Sequence, residues 1–250
     1  MKNFISSVFT LMTMSFAFAQ SNFDVSTQVG LSNSATVDQT GAFNNNNLLQ
    51  VGVNNRADID QVGVSNANRT ISLGVSNSVD VDQRGTSNNN LVFQLGNNND
   101  AKTLQVGWAN NVQQFQLGSG NDASATQYGA LNNITQFQQG NNNNAAALQL
   151  GVANSASQVQ LGNRNSSNYV QLGLSNSASS LQIGDDNSAW GMQIGIGNNL
   201  SQTQIGDSNI AIDTQLGLNN RAVISQSGDS HFHMGTQIGA NNSLMVTQSN

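Results

Sequence analysis

A figure of eleven residues governs this chain. Gln149 is followed two residues later by Gly151, five later by Asn154 and seven later by Ala156, and Gln160 with Gly162 begins the figure again. Counting by elevens from position 28 to position 248, Gln occupies 20 of the 21 places, Ser72 being the exception. With the Gln as position zero, Gly stands at +2 in all 20 complete units and Asn at +5 in 19 of them, His231 replacing the missing Asn. No insertion or deletion interrupts the count. Self-similarity this strict makes each repeat one supersecondary unit that buries its inner face only by stacking on its neighbours.

The period alone leaves two architectures open, because eleven residues also fit a right-handed helical coil. The residues exclude it. Each Gly would cost a helix about 1 kcal/mol against Ala. Asn, Ser and Thr prefer caps and turns to helix interiors. Charged residues make up only 8% of the chain, too few for the flanks of a coil. A strand reading fits instead. The alternating stretch from +7 to the next +1 predicts a short strand. Gly at +2 and Asn at +5 predict the corner, since both tolerate left-handed backbone. Position +9 carries Gln114, Gln136, Gln158 and Gln202 in alternate units, so a longer period of 22 overlies the eleven. The expected fold is all-β: a β-solenoid of about ten two-strand rungs, built from 11-residue units paired as 22-residue repeats and ~48 Å long at the usual strand spacing.

Charge placement sets which parity faces in. From Gln28 onward, positions +7, +9, zero and +2 hold a single charged residue, Asp213, whereas the other parity holds Asp38, Asp58, Asp60, Arg69, Asp80, Asp82, Arg84 and Lys102. A narrow interior does not carry unpaired charges. Gln, Gly and the +7 residue are therefore expected inside, with identical amides stacked as ladders. One feature pulls the other way. Position +1 is apolar in most units (Val29, Val62, Leu95, Leu150, Ile194 and others) and points outward by this rule. Either hydrophobicity sets the interior and Gln faces out, or an apolar stripe is exposed as a contact surface between solenoids lying side by side.

The first residues are of another kind. Phe4 to Phe18 is mainly apolar behind Lys2 and closes with Ala17-Phe18-Ala19, which reads as a signal peptide over residues 1–19, cut before Gln20. The expected domain is then the solenoid of residues 20–250, secreted. The formal charge of −6 is weak and dispersed, and without a basic patch nucleic acid is not an expected partner. Catalysis has little to work with: there is no Cys, every acid is Asp, and there are two His. His231 and His233 at i, i+2 could share a metal on one strand face, but two ligands are too few for a closed site. Asp38, Asp60 and Asp82 are expected to stack on a strand face, and Asp185, Asp207 and Asp229 at one corner, where like charges repel. Calcium or a brake on premature assembly would account for them. No metal and no cofactor is expected.

The run Gln50-Val51-Gly52-Val53-Asn54-Asn55-Arg56-Ala57-Asp58-Ile59-Asp60-Gln61 resembles the curlin repeat, and the likeness recurs over nearly all of residues 20–250. The chain is similar to the subunits of curli, the bacterial functional amyloid. The resemblance implies a secreted, non-enzymatic subunit that polymerises head to tail outside the cell into a cross-β fibre. Such fibres serve the biofilm matrix, adhesion and cell aggregation. It implies as partners further copies of itself, a nucleator or companion subunit, an outer-membrane secretion pore and periplasmic chaperones. Carried onto this sequence, the stacking ladders comprise Gln28, Gln50, Gln94, Gln116, Gln138, Gln149, Gln160, Gln171, Gln182 and Gln204. With them stand Asn55, Asn110, Asn154 and Asn176, and Gly52, Gly107, Gly151 and Gly173. The array is longer than the family's usual five or so double repeats. Only Gln20 to Thr27 precede the first ladder Gln, so a separate export segment is not evident. A different class, a soluble solenoid that binds ice or carbohydrate, would need a flat Thr-x-Thr array. Thr203, Thr214, Thr236 and Thr247 are each followed by Gln and do not supply one.

Overall fold

A computed structural model describes residues 21–250; the leader read at residues 1–19 and the proposed cut before Gln20 lie outside them. Twenty-one β-strands, β1 (Phe23–Leu31) to β21 (Ser243–Ser249), follow one another with two-residue corners between most of them. The odd-numbered strands form one 11-stranded sheet and the even-numbered strands one 10-stranded sheet. Every pairing is parallel and in register at 22 residues, so Gln105 lies over Gln127 and Gly107 over Gly129. The molecule is a two-sheet β-solenoid of ten rungs and one further strand.

The strands are longer than the periodicity predicts. Most run from +6 to the next +3, nine residues such as Asp100–Trp108, and so take in the Gly that the sequence places at the corner. The left-handed residue of the corner is instead +4, whatever its type: Asn54, Ala109, Leu131 and Arg164 all have φ between 53° and 58°. Rung-to-rung bonding continues through the corner and holds this conformation, as where Ala109 N–H donates to Thr86 O at 2.9 Å. The Gly at +2 has a different task. Gly107 has φ 131°, and a Cβ there would be driven into the carbonyl oxygen of Gly129 in the next rung. It is glycine because backbones approach one another at the end of the strand, not because the chain turns there.

Besides the terminal β21, three strands are shorter. β15 (Ser177–Ile183), β17 (Asn199–Ile205) and β19 (Arg221–Ser227) stop at +1, just before Asp185, Asp207 and Asp229. Carboxylates there accept backbone N–H groups from the preceding rung: Asp185 N–H donates to Asp207 Oδ1 at 2.7 Å, and Asp207 N–H to Asp229 Oδ1 at 2.9 Å. Side chain replaces backbone as acceptor.

The interior follows the charge argument. Along β4 (Arg56–Val64), Ala57, Ile59 and Gln61 are buried and Val62 is 45% exposed. The apolar core is thin and comes in three segments, around Ile59 and Val81, around Val112 and Ile134, and around Tyr169 and Leu200. Tyr169 fits because its in-register neighbour in β16 (Ser188–Ile196) is Gly191, where a Cβ would collide with the phenol ring.

Candidate functional site

The sequence points to ladders rather than to a catalytic centre, and they are described first. In the even sheet the amide of each Gln donates up the stack: Gln105 Nε2 to Gln127 Oε1 at 3.0 Å, Gln127 to Gln149 at 2.9 Å, Gln149 to Gln171 at 2.7 Å and Gln171 to Gln193 at 2.8 Å. The odd sheet does the same through Gln94, Gln116, Gln138, Gln160, Gln182 and Gln204. The second amide hydrogen crosses the interior to the opposite sheet, as where Gln105 Nε2 donates to Asn89 O at 3.0 Å. Both donors are used while the side chain is fully buried, which removes the cost of burying an amide. Gln28 and Gln50 lie 2.8 Å apart at their amides. At the next rung Ser72 breaks the odd ladder; its hydroxyl donates to Gln94 Oε1 at 3.0 Å.

The Asn ladder runs the other way. Asn132 donates both its backbone N–H and Nδ2 to Asn110 Oδ1 at 3.1 Å. Asn110 in turn donates Nδ2 to Asn88 Oδ1 and to Gly129 O. Asn55, Asn154 and Asn176 make equivalent bonds, each reaching the +2 glycine carbonyl of a neighbouring rung: Gly74, Gly173 and Gly195. Corner side chain and strand-end glycine are thus one unit, which is why Gly52, Gly107, Gly151 and Gly173 recur in step with the Asn. A second interior ladder at +9, Gln114 to Gln136 to Gln158, adds bonds of 2.9 and 2.8 Å.

The two histidines do not share a strand face. His231 occupies a corner, where its backbone N–H takes the place of the missing Asn and donates to Asn209 Oδ1 at 3.0 Å; its ring nitrogen faces Ser227 O. His233 points inward and lies 3.1 Å from Asp213 Oδ1. Asp213 also accepts from Gln202 Nε2 at 2.8 Å, and Gln202 Oε1 accepts from the Tyr169 hydroxyl. Burial pushes the Asp213 carboxyl up, against the pull of Gln202 and His233. Sequence parity marked Asp213 as the lone inward charge; nothing in the repeat count announced that His233, one rung on, would meet it. Asp38, Asp60 and Asp82 do stand in register. Burial, then Asp58 and Asp82, raise Asp60 above the ordinary carboxylate range.

Among the described residues, the interior is open at both ends. Every residue of β1 is exposed, Gln28 included, whereas Gln50 one rung on is fully buried. At the other end Gln248, Leu244 and Val246 of β21 are only partly covered.

The family model described as curlin associated repeat matches residues 74–107, from the Gly of one unit through the Gly three units later. Residues 74–107 thus carry a curlin associated repeat. The matched segment spans β6 (Ser78–Thr86) and β7 (Asn89–Asn97) with most of β8 (Asp100–Trp108), and the same hydrogen-bonded unit of Gln, Gly and Asn recurs from β2 (Ser34–Ala42) to β20 (Phe232–Ala240). No curated protein matches the chain. What the curlin repeat supplies here is a stack of interchangeable rungs whose ladders have a direction, donor at one end and acceptor at the other.

Proposed function

We propose that this curlin-repeat chain is a structural subunit of an extracellular curli-type amyloid fibre and that it grows by head-to-tail stacking of its solenoid. The observation that carries the reading is the opposite polarity of the two ladders together with their open ends. Gln237 and Gln248 each spend one amide hydrogen across the interior, on Arg221 O and Phe232 O. The other faces out of the C-terminal end, beside the Asn242 Oδ1 acceptor. The N-terminal end offers the Gln39 Oε1 that continues the same ladder and the Asn33 N–H that each later Asn gives to the rung before it. Donor meets acceptor only when the C-terminal end of one copy meets the N-terminal end of another. Unpaired strand edges at β1, β2, β20 and β21 supply the backbone half of the joint.

On this reading residues 1–19 are a cleaved leader and residues 20–250 the secreted, non-enzymatic fibre subunit. Further copies of the chain, a nucleator or companion curlin subunit, a secretion pore and periplasmic chaperones are its partners, and biofilm matrix and cell adhesion its setting. Thr203 and Thr247 lie in the odd sheet and Thr214 and Thr236 in the even sheet, so no threonine array favours a binding module. The test is polymerisation of the purified chain followed by thioflavin fluorescence, with and without fragments of preformed fibre. A lag that fragments abolish is expected; a persistently monomeric, thioflavin-negative chain under both conditions overturns the reading.

A further inference from the structure

The two outer faces are not alike along the axis. On the even sheet, β4, β6, β8 and β10 (Asp122–Ala130) carry Arg56, Asp58, Asp60, Asp80, Asp82, Arg84, Asp100, Lys102 and Asp122. From β12 (Asn144–Val152) through β14 (Ser166–Leu174), β16, β18 (Ile210–Leu218) and β20 no Asp, Lys or Arg points outward. The outward residues there are Leu150, Leu174, Ile196, Leu218, Phe232 and their neighbours, many of them 36–71% exposed. The odd sheet is the reverse. Its apolar half is N-terminal, with Val29, Leu31, Val53, Val75 and Leu95 exposed and Phe93 over Phe115 in register. Its C-terminal half is more polar: Ser, Asn and Thr alternate there with Val159, Leu181, Ile183, Ile205, Val223 and Met245, and Arg221 and the edge residues Asp185, Asp207 and Asp229 add charge. Each apolar half spans five strands of mostly nine residues, or roughly 700 Å² at ordinary strand spacing. That exceeds what a monomer usually exposes in one patch and approaches one side of a standard interface.

We infer that these halves are the two sides of one lateral interface. The C-terminal half of the even face of one copy packs on the N-terminal half of the odd face of a second copy lying parallel to it. The second copy is advanced by about half a molecule, roughly 24 Å at five rungs. The charges select this stagger. With no advance, the acidic half of the even face would be pressed on the apolar half of the odd face, taking Asp60, Asp80 and the Arg56–Asp58 and Arg84–Asp82 ion pairs out of water against a surface that offers them no partner. Advancing by half a length brings the two uncharged surfaces together, with Arg69 the only charge among them. Each copy then uses one apolar half on each face, so the contact is heterologous and propagates. It requires no end-to-end growth; in a stack, each laterally bound copy bridges the joint between two others.

The cysteine-free chain makes the test direct. Ile71 and Met192 occupy the central outward column of β5 (Ala67–Val75) and β16; Leu181 of β15 lies level with Met192. Chains carrying Ile71→Cys, Met192→Cys or Leu181→Cys are mixed in pairs and oxidised, and the disulfides are mapped by mass spectrometry. The 71–192 bridge is expected in roughly tenfold or greater excess over 181–192, and Ile194→Lys in the Met192→Cys chain should lower it by a similar factor. Equal yields of 71–192 and 181–192, a predominance of 192–192, or indifference to Ile194→Lys overturns the inference. Thioflavin-positive fibres formed in the same samples without the 71–192 bridge would remove the lateral contact and leave stacking intact. The bridge without fibres would do the opposite.

Discussion

Asn and Gln are costly core residues unless each amide hydrogen and oxygen finds a partner, and here the neighbouring rung supplies an identical one. Ser72 shows what one missing member does: its short hydroxyl reaches Gln94 only. Ser72→Gln is expected to restore the odd ladder and stabilise the fold by about 1 kcal/mol, read as a higher denaturant midpoint. Gly107→Ala should cost roughly 3 kcal/mol or more, because a Cβ would meet the Gly129 carbonyl and the backbone has positive φ. Asn110→Ala should cost about 3 kcal/mol by orphaning donors on Asn132 and the acceptor of Gly129. Both losses can be measured by thermal unfolding. The inward direction of Gln was legible from charge alone, since from Gln28 onward the inward parity holds one charge and the outward parity nearly all the others. The corner was not. The left-handed position, +4, accepts Ser, Asn, Ala, Leu, Arg and Asp, so composition carries no trace of it. The conspicuous Gly marks a close approach instead.

Strands β4, β6, β8 and β10 stack carboxylates on one face, and this sets a pH dependence. Burial raises Asp60, with help from Asp58; it raises Asp80, again with Asp58; and it raises Asp122, with Asp100 next. A carboxyl held above its unfolded value of about 3.8 contributes stability that is complete below that value and lost as pH rises through the folded one. Asp186, exposed and paired with Arg164, shifts the opposite way, but three members of the even face outnumber it. The solenoid should therefore resist denaturant better at about pH 4 than at about pH 7. The double variant Asp60→Asn, Asp80→Asn should flatten the difference; a midpoint that rises with pH in both chains contradicts the assignment. The recurrence of these aspartates at 22 residues was visible in the sequence. That the carboxylates of Asp207 and Asp229 serve as acceptors for backbone N–H groups was not, because it depends on strands ending two residues early. The fit of Tyr169 over Gly191 was equally hidden, since it links residues whose complementarity appears only once the register is known.

At the scale of the whole molecule the repeat count gave the architecture almost complete, because a strict period with one inward parity admits few other stacks. It also left one question that only burial answers: the apolar +1 residues face out, and hydrophobicity did not choose the core. A chain whose interior is polar, laddered and open at both ends is suited to continue into a second copy. The direct measurement is mass per unit length of isolated filaments by dark-field electron microscopy. Twenty-one strands at two per rung give one chain per about 50 Å of filament, or a small whole multiple of that density where filaments pair. A density of one chain per about 4.8 Å, in which each chain forms a single flat layer, would contradict stacking of intact solenoids.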